Sequence, residues 1–255
     1  VKIDIAGTVE TVASIDKATL EKCYHTFYHP SQMMLFVVGH INPDEIMKLI
    51  QDNQQQKHFS KENPIQRAVV NEPLDVAQKE AVLHMDVTMP KIIVSMKINT
   101  ILTKPQERLK RELAMNLFLD IFFAKSSSLY DEWLNEELIN DSFSAQFTQE
   151  RDYCFLQIGG DTLYPEQLKE KILYFIEHIH EYDIRQEDFL RLKKKTMGIM
   201  ISLFNSPESI ANMFSRYYFE GIMIFDLIDC LNALTMDDLM SLRDLFDEHY
   251  ATSFT

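Results

Sequence analysis

The apolar residues change period part-way along the chain, and that switch constrains the fold more than any single motif. Ile92, Val94, Met96 and Ile98 alternate with Ile93, Ser95 and Lys97, and Phe143, Ala145 and Phe147 alternate with Ser142, Ser144, Gln146 and Thr148. Period two is the mark of half-buried strands. Tyr153–Ile158 is the expected partner of the second strand, with Gly159-Gly160 closing it, and Val82–Thr88 reads as a further strand. Between the strands, Leu109, Leu113, Leu117, Ile121 and Phe122 recur at helical spacing behind Pro105, which suits a first helical turn. A shorter helix is expected over 128–137. From Pro165 the helical period persists through 165–182, 186–204, 207–220 and 237–247. Strands early and helices late predict an α+β fold, with helices packed on one face of a mostly antiparallel sheet.

A second, smaller unit precedes this one. Asp16 is a good N-cap for a helix over 16–29 that buries Leu20, Cys23, Tyr24 and Phe27 and is stopped by Pro30. Met33–Val38 then reads as a short buried strand ended by Gly39, and 44–54 as another helix. The polar run 55–78, with Pro64 and Pro73, is the best linker, so the expected division is 1–54, linker 55–78 and 79–255. Leu234-Thr235-Met236-Asp237-Asp238-Leu239 echoes Ile15-Asp16-Lys17-Ala18-Thr19-Leu20, each opening a capped helix that leads toward an aromatic, Phe246 or Phe27. A strand is expected after the first copy, and after the second only its beginning before Thr255. The echo suggests two related domains, the chain holding the tail of one and most of the other.

Charge and motif content exclude several functions. Twenty-five Lys and Arg stand against 39 Asp and Glu, a net charge of −14 that repels nucleic acid and anionic lipid. Apolar runs fall short of the roughly 20 residues a membrane span needs. Cys23, Cys154 and Cys230 form no C-x-x-C pair and read as reduced buried thiols of a cytoplasmic protein. His25 and His29 share a helical face at i, i+4, but a carboxylate base beside a metal would require Glu where Tyr28 stands. His178 and His180 point to different sides of their helix, Ser126-Ser127-Ser128 suits a turn, and Gly159-Gly160-Asp161 lacks the rest of a phosphate loop. The residues alone therefore describe an α+β protein without an active site of its own.

The opening Val1-Lys2-Ile3-Asp4-Ile5-Ala6-Gly7-Thr8-Val9-Glu10, the run Phe27-Tyr28-His29-Pro30-Ser31-Gln32-Met33 and Leu35–Gly39 carry a resemblance. They resemble the insulinase/pitrilysin family of zinc peptidases, most closely its bacterial, processing-peptidase-like branch, and Ile158–Thr162 is a further match. The resemblance implies a duplicated clamshell of α+β domains around a chamber in which peptides are cleaved. It also implies a zinc held by H-x-x-E-H and a distant Glu. No H-x-x-E-H occurs between Val1 and Thr255. On this resemblance, zinc belongs to the parent protein upstream of Val1, and this chain holds no metal or catalytic residue. It would be the end of the catalytic half plus a non-catalytic domain, with peptide substrate, the upstream half and a homologous subunit as partners.

Many members lend an Arg and a Tyr, seven residues apart, to the scissile carbonyl. Alignment places Leu134 and Asp141 at those positions, and neither can donate to an oxyanion as they would. Ser142 is the neighbouring donor, and Leu134, Asp141 and Ser142 are the expected chamber-wall residues. A degenerate partner or scaffold subunit is the alternative function.

Overall fold

The computed structural model describes residues 5–59, 65–66 and 72–255. Residues 60–64 and 67–71 of the expected linker, and Val1–Asp4 of the resemblance, lie outside them. The chain forms two compact units, Val1–Val69 and Val70–Thr255.

In the first unit, α1 (Val9–Ala13), α2 (Lys17–Phe27) and α3 (Pro43–Gln55) carry the expected caps. The Asp16 side chain accepts from Thr19 N at 2.8 Å, which satisfies one of the donors that the first helical turn leaves open. Pro30 opens a 3-10 turn over Pro30–Gln32. The buried strand expected at Met33–Val38 does not form, because a strand exists only in a ladder and the described residues of this unit contain no other strand. Met33, Leu35 and Val37 are exposed, as are Leu20, Tyr24 and Phe27, so the expected apolar face of α2 is not buried. Cys23 is exposed, contrary to expectation.

The second unit is one five-stranded sheet under helices. Its strands are β1 (Glu80–Ala81), β2 (Lys91–Lys97), β3 (Ser144–Gln149), β4 (Cys154–Asp161) and β5 (Ala251–Phe254), ordered β1-β5-β2-β4-β3. Only β1 and β5 run parallel; the other neighbours are antiparallel. The strand expected at 82–88 does not form: the two-residue β1 lies just before it, and Val82, Leu83, Met85 and Val87 stay exposed. The final strand is fully formed, with Val94 opposite Ser253 and Ala81 opposite Phe254.

Gly159 and Gly160 do not close β4 but run inside it. A Cβ on Gly159 would lie 2.0 Å from Ile92 O, and one on Gly160 2.7 Å from Phe143 Cα. The glycines are there because neighbouring backbone passes too close for any side chain.

One sheet face is sealed. Ile92, Val94 and Met96 of β2 and Leu156 and Ile158 of β4 point into the core. They meet α4 (Pro105–Phe123) and α6 (Pro165–Glu177), with α5 (Ser128–Asn135) packed against α4. The expected α4 stripe understates its burial: Leu109, Leu113, Leu117 and Phe122 are buried, but so are Met115, Phe118, Leu119 and Phe123. The reason is that α4 is a middle layer. Above it lie α7 (Gln186–Leu203) and α9 (Asp226–Ala233), preceded by α8 (Pro207–Tyr218) and followed by α10 (Met236–Met240). Helix α9 has no sequence signature because its N-cap, Phe225, makes no side-chain cap bond. The stretches expected at 165–182 and 237–247 each finish in a 3-10 turn, over Ile179–Glu181 and Ser241–Leu245.

Candidate functional site

The residues that link α5 to β3 are held by a dense local network. Ser127 caps α5, accepting from Tyr130 N at 3.1 Å while its hydroxyl donates to Phe122 O at 2.6 Å. Two residues past the end of α5 stands Glu137, whose φ of 59° lies in the left-handed region usually left to glycine. Leu138 N donates back to Trp133 O at 3.0 Å, closing that turn.

Asn140 then fastens the loop to the far end of β4. Its Nδ2 donates to Asp161 O at 3.0 Å, and its Oδ1 accepts from Ser142 N at 2.8 Å. Ser142 Oγ accepts from Asp161 N at 2.7 Å. The three expected wall residues therefore have different situations. Leu134 is exposed on α5. The Asp141 side chain is 91% exposed and paired with Lys125, which holds its carboxyl below the ordinary aspartate range. Ser142 is bound into the mount between Asn140 and Asp161. Asn140, which organises that mount, carries no sequence signal beyond being a loop residue before a strand.

Among the described residues no three or more His, Cys, Asp or Glu side chains are grouped so that they could hold a metal ion. His25 is an exposed residue of α2, while His29 Nδ1 lies 2.7 Å from Ser31 Oγ. His178 is stacked on Tyr174 with ring centroids 4.0 Å apart, and His180 lies 4.0 Å from Asp244. Cys154 is buried beside Arg111, and burial pushes its thiol up to about 11, which keeps it protonated and a poor nucleophile at neutral pH. Arg111, itself buried, binds Thr100 O at 2.6 Å and the Gln149 side chain, pinning α4 to the β3–β4 hairpin. No helix among the described residues is long and apolar enough to cross a membrane.

The class of domain that the fold defines is an α+β unit whose five-stranded, mostly antiparallel sheet is covered by helices on one face. Residues 14–196 match the family described as the peptidase M16 inactive domain, and the chain belongs to that family. Its relatives give the particular setting. It is 40% identical over 241 residues to the zinc protease YmfH of Bacillus subtilis, covering 94% of this chain and 56% of YmfH. The crystal structure of an M16-like peptidase from Alicyclobacillus acidocaldarius superposes with a TM-score of 0.92 at 30% identity, covering 99% of this chain and 60% of that one. The first half of the periplasmic protease PqqL from Escherichia coli shares the fold, with a TM-score of 0.74 at 14% identity and coverage of 97% and 56%. The chain thus spans somewhat over half the length of each of these relatives.

Proposed function

We propose that this chain is the non-catalytic C-terminal portion of a zinc-dependent metalloendopeptidase that degrades or processes peptides in an enclosed chamber. Membership of the inactive-domain family carries this reading, and the match to just over half of a zinc protease supports it. The apolar segment Met33–Val38 supports it independently. An extended run that lies in no ladder among the described residues, with Met33, Leu35 and Val37 exposed, is suited to complete a sheet with other chain. The zinc, H-x-x-E-H and the activating glutamate belong, on this proposal, to that other part. The domain division 1–54, 55–78 and 79–255 follows the same logic, the first piece closing the catalytic half. The cytoplasm is the proposed location, tested by fractionation against the periplasm of the PqqL relative.

The deciding measurement is a peptidase assay with metal analysis on this chain and on a form extended at its N-terminus. The short chain is expected to be inactive and to hold no stoichiometric zinc, and the extended form to hydrolyse unfolded peptides. Hydrolysis by the short chain overturns the proposal. A second reading, an inactive homologue serving as partner or scaffold subunit, is favoured by one observation. Leu134 and Asp141 offer an oxyanion no donor, and Asp141 is engaged by Lys125. A zinc-free, inactive extended form would select it.

A further inference from the structure

Helices α5 and α6, with residues that follow each of them, line a cavity of about 820 Å³, a volume that suits a small molecule. Its apolar wall includes Leu129, Leu138, Tyr182 and Tyr174, the last with its ring fixed by stacking on His178. Trp133, the one tryptophan of the chain, also lines it. Trp133 is 2% exposed and held edge-on against Phe143, with ring centroids 5.7 Å apart. Its indole N–H makes no hydrogen bond to any described residue, and Nε1 is not among the fully enclosed polar atoms. A buried indole N–H ordinarily finds an acceptor. The cavity is where Trp133 meets open space, so this donor is free for an acceptor that enters there.

The charges around the cavity do not balance. Lys171 of α6 reaches across it to Glu136 Oε2 at 2.5 Å and to Glu132 Oε1 at 3.3 Å, so two carboxylates share one ammonium. Glu170, one residue earlier on α6, is exposed and pairs with no cation among the described residues. Three carboxylates against one ammonium leave the lining with an excess of two negative charges. An anion is repelled here, whereas a cation gains both from the carboxylates and from the negative faces of the aromatic rings.

We propose that this cavity binds a small organic ammonium ion that carries an apolar body and a hydrogen-bond acceptor. The ammonium group meets Glu170 and the pair Glu132 and Glu136, the acceptor takes the Trp133 N–H, and the apolar body lies against Leu129, Leu138 and the two tyrosines. Neither zinc nor peptide hydrolysis enters this inference, which stands or falls apart from the peptidase reading.

Because the chain has a single tryptophan, its intrinsic fluorescence reports on the cavity directly. The test titrates the 255-residue chain with phenylalaninol, which offers an ammonium, a hydroxyl and a phenyl group and does not absorb where tryptophan is selectively excited. A saturable change in Trp133 emission is expected, with half-saturation below about 1 mM. The anion 3-phenylpropanoate should bind at least about 10-fold more weakly, and 2-phenylethylamine, which lacks the hydroxyl, about 3-fold more weakly. Glu170→Gln, an exposed change that leaves Lys171 and its two partners in place, should weaken phenylalaninol binding about 3- to 5-fold. Glu208→Gln, removing the same charge at the start of α8, should change it less than about 2-fold. No saturable change with phenylalaninol, equal binding of 3-phenylpropanoate or 2-phenylethylamine, or equal effects of the two Gln variants overturns the proposal.

Discussion

Two stretches of this chain follow the same order of elements and end differently. In each, a residue with a capping side chain, Asp16 or Thr235, starts a helix; a 3-10 turn follows, Pro30–Gln32 or Glu248–Tyr250; then comes an extended segment. At the C-terminal end that segment is β5, paired with β1 on one side and β2 on the other, with Ala251 and Ser253 buried. At the N-terminal end it is Met33–Val38, more apolar than β5, in no ladder among the described residues and with Met33, Leu35 and Val37 exposed. Local sequence brings the chain to the point of forming a strand. Whether a strand exists depends on what runs beside it.

The largest expected effect lies where packing is complete. Gly159→Ala should cost about 3 kcal/mol or more, or prevent folding, because its Cβ would meet the Ile92 carbonyl inside the sheet. Phe175→Ala, at the centre of the aromatic cluster with Phe122 and Phe123, should cost about 3–5 kcal/mol in denaturant unfolding. Leu35→Ala should stay within about 0.5 kcal/mol in this chain. A Leu35→Ala loss as large as that of Phe175→Ala would break the contrast drawn between the two segments.

Hydrogen exchange sharpens the same contrast without mutation. Amides of Met34, Leu35, Val37 and Val38 should exchange much faster than those of β5, which should approach the protection of global unfolding. Thiol labelling provides a third comparison. At pH 8 a thiol whose pKa is pushed up to about 11 is only about 0.1% thiolate, so Cys154 should resist iodoacetamide while exposed Cys23 reacts. Modification of Cys154 becomes significant only as the pH rises toward that value or the domain unfolds.

The smallest effects belong to the loop between α5 and β3. Glu137→Gly should stabilise the fold by about 0.5–1 kcal/mol by relieving a left-handed backbone. Asp141→Ala should leave the unfolding midpoint unchanged, since its pairing with Lys125 is fully solvated. In the extended protein a change in turnover with unchanged stability would place Asp141 at the substrate.

Much of this architecture is legible in the residues. The alternation of Ile92, Val94 and Met96 and of Ala145 and Phe147 marks the sheet, Pro105 and Pro165 mark helix starts, and Asp16 and Thr235 mark caps. These signals are local and depend on spacing within a turn or a pleat. Harder to read are helix α9, which has no polar cap, and the burial of α4 on nearly all sides. The candidate site was legible by position only. Leu134, Asp141 and Ser142 can be picked out along the chain, but the network in which Asn140 joins Ser142 to Asp161 needs β4 folded back against the loop.

By itself, then, the sequence determined where helices start, which residues alternate toward a core, and that no zinc motif lies between Val1 and Thr255. Only tertiary structure decided that Gly159 and Gly160 lie within a strand, that helices seal one sheet face, and that Ala251–Phe254 is a strand while Met33–Val38 joins none among the described residues. Caps and periodicity act over neighbouring residues, whereas ladders and close backbone approach are made by partners far away in the chain.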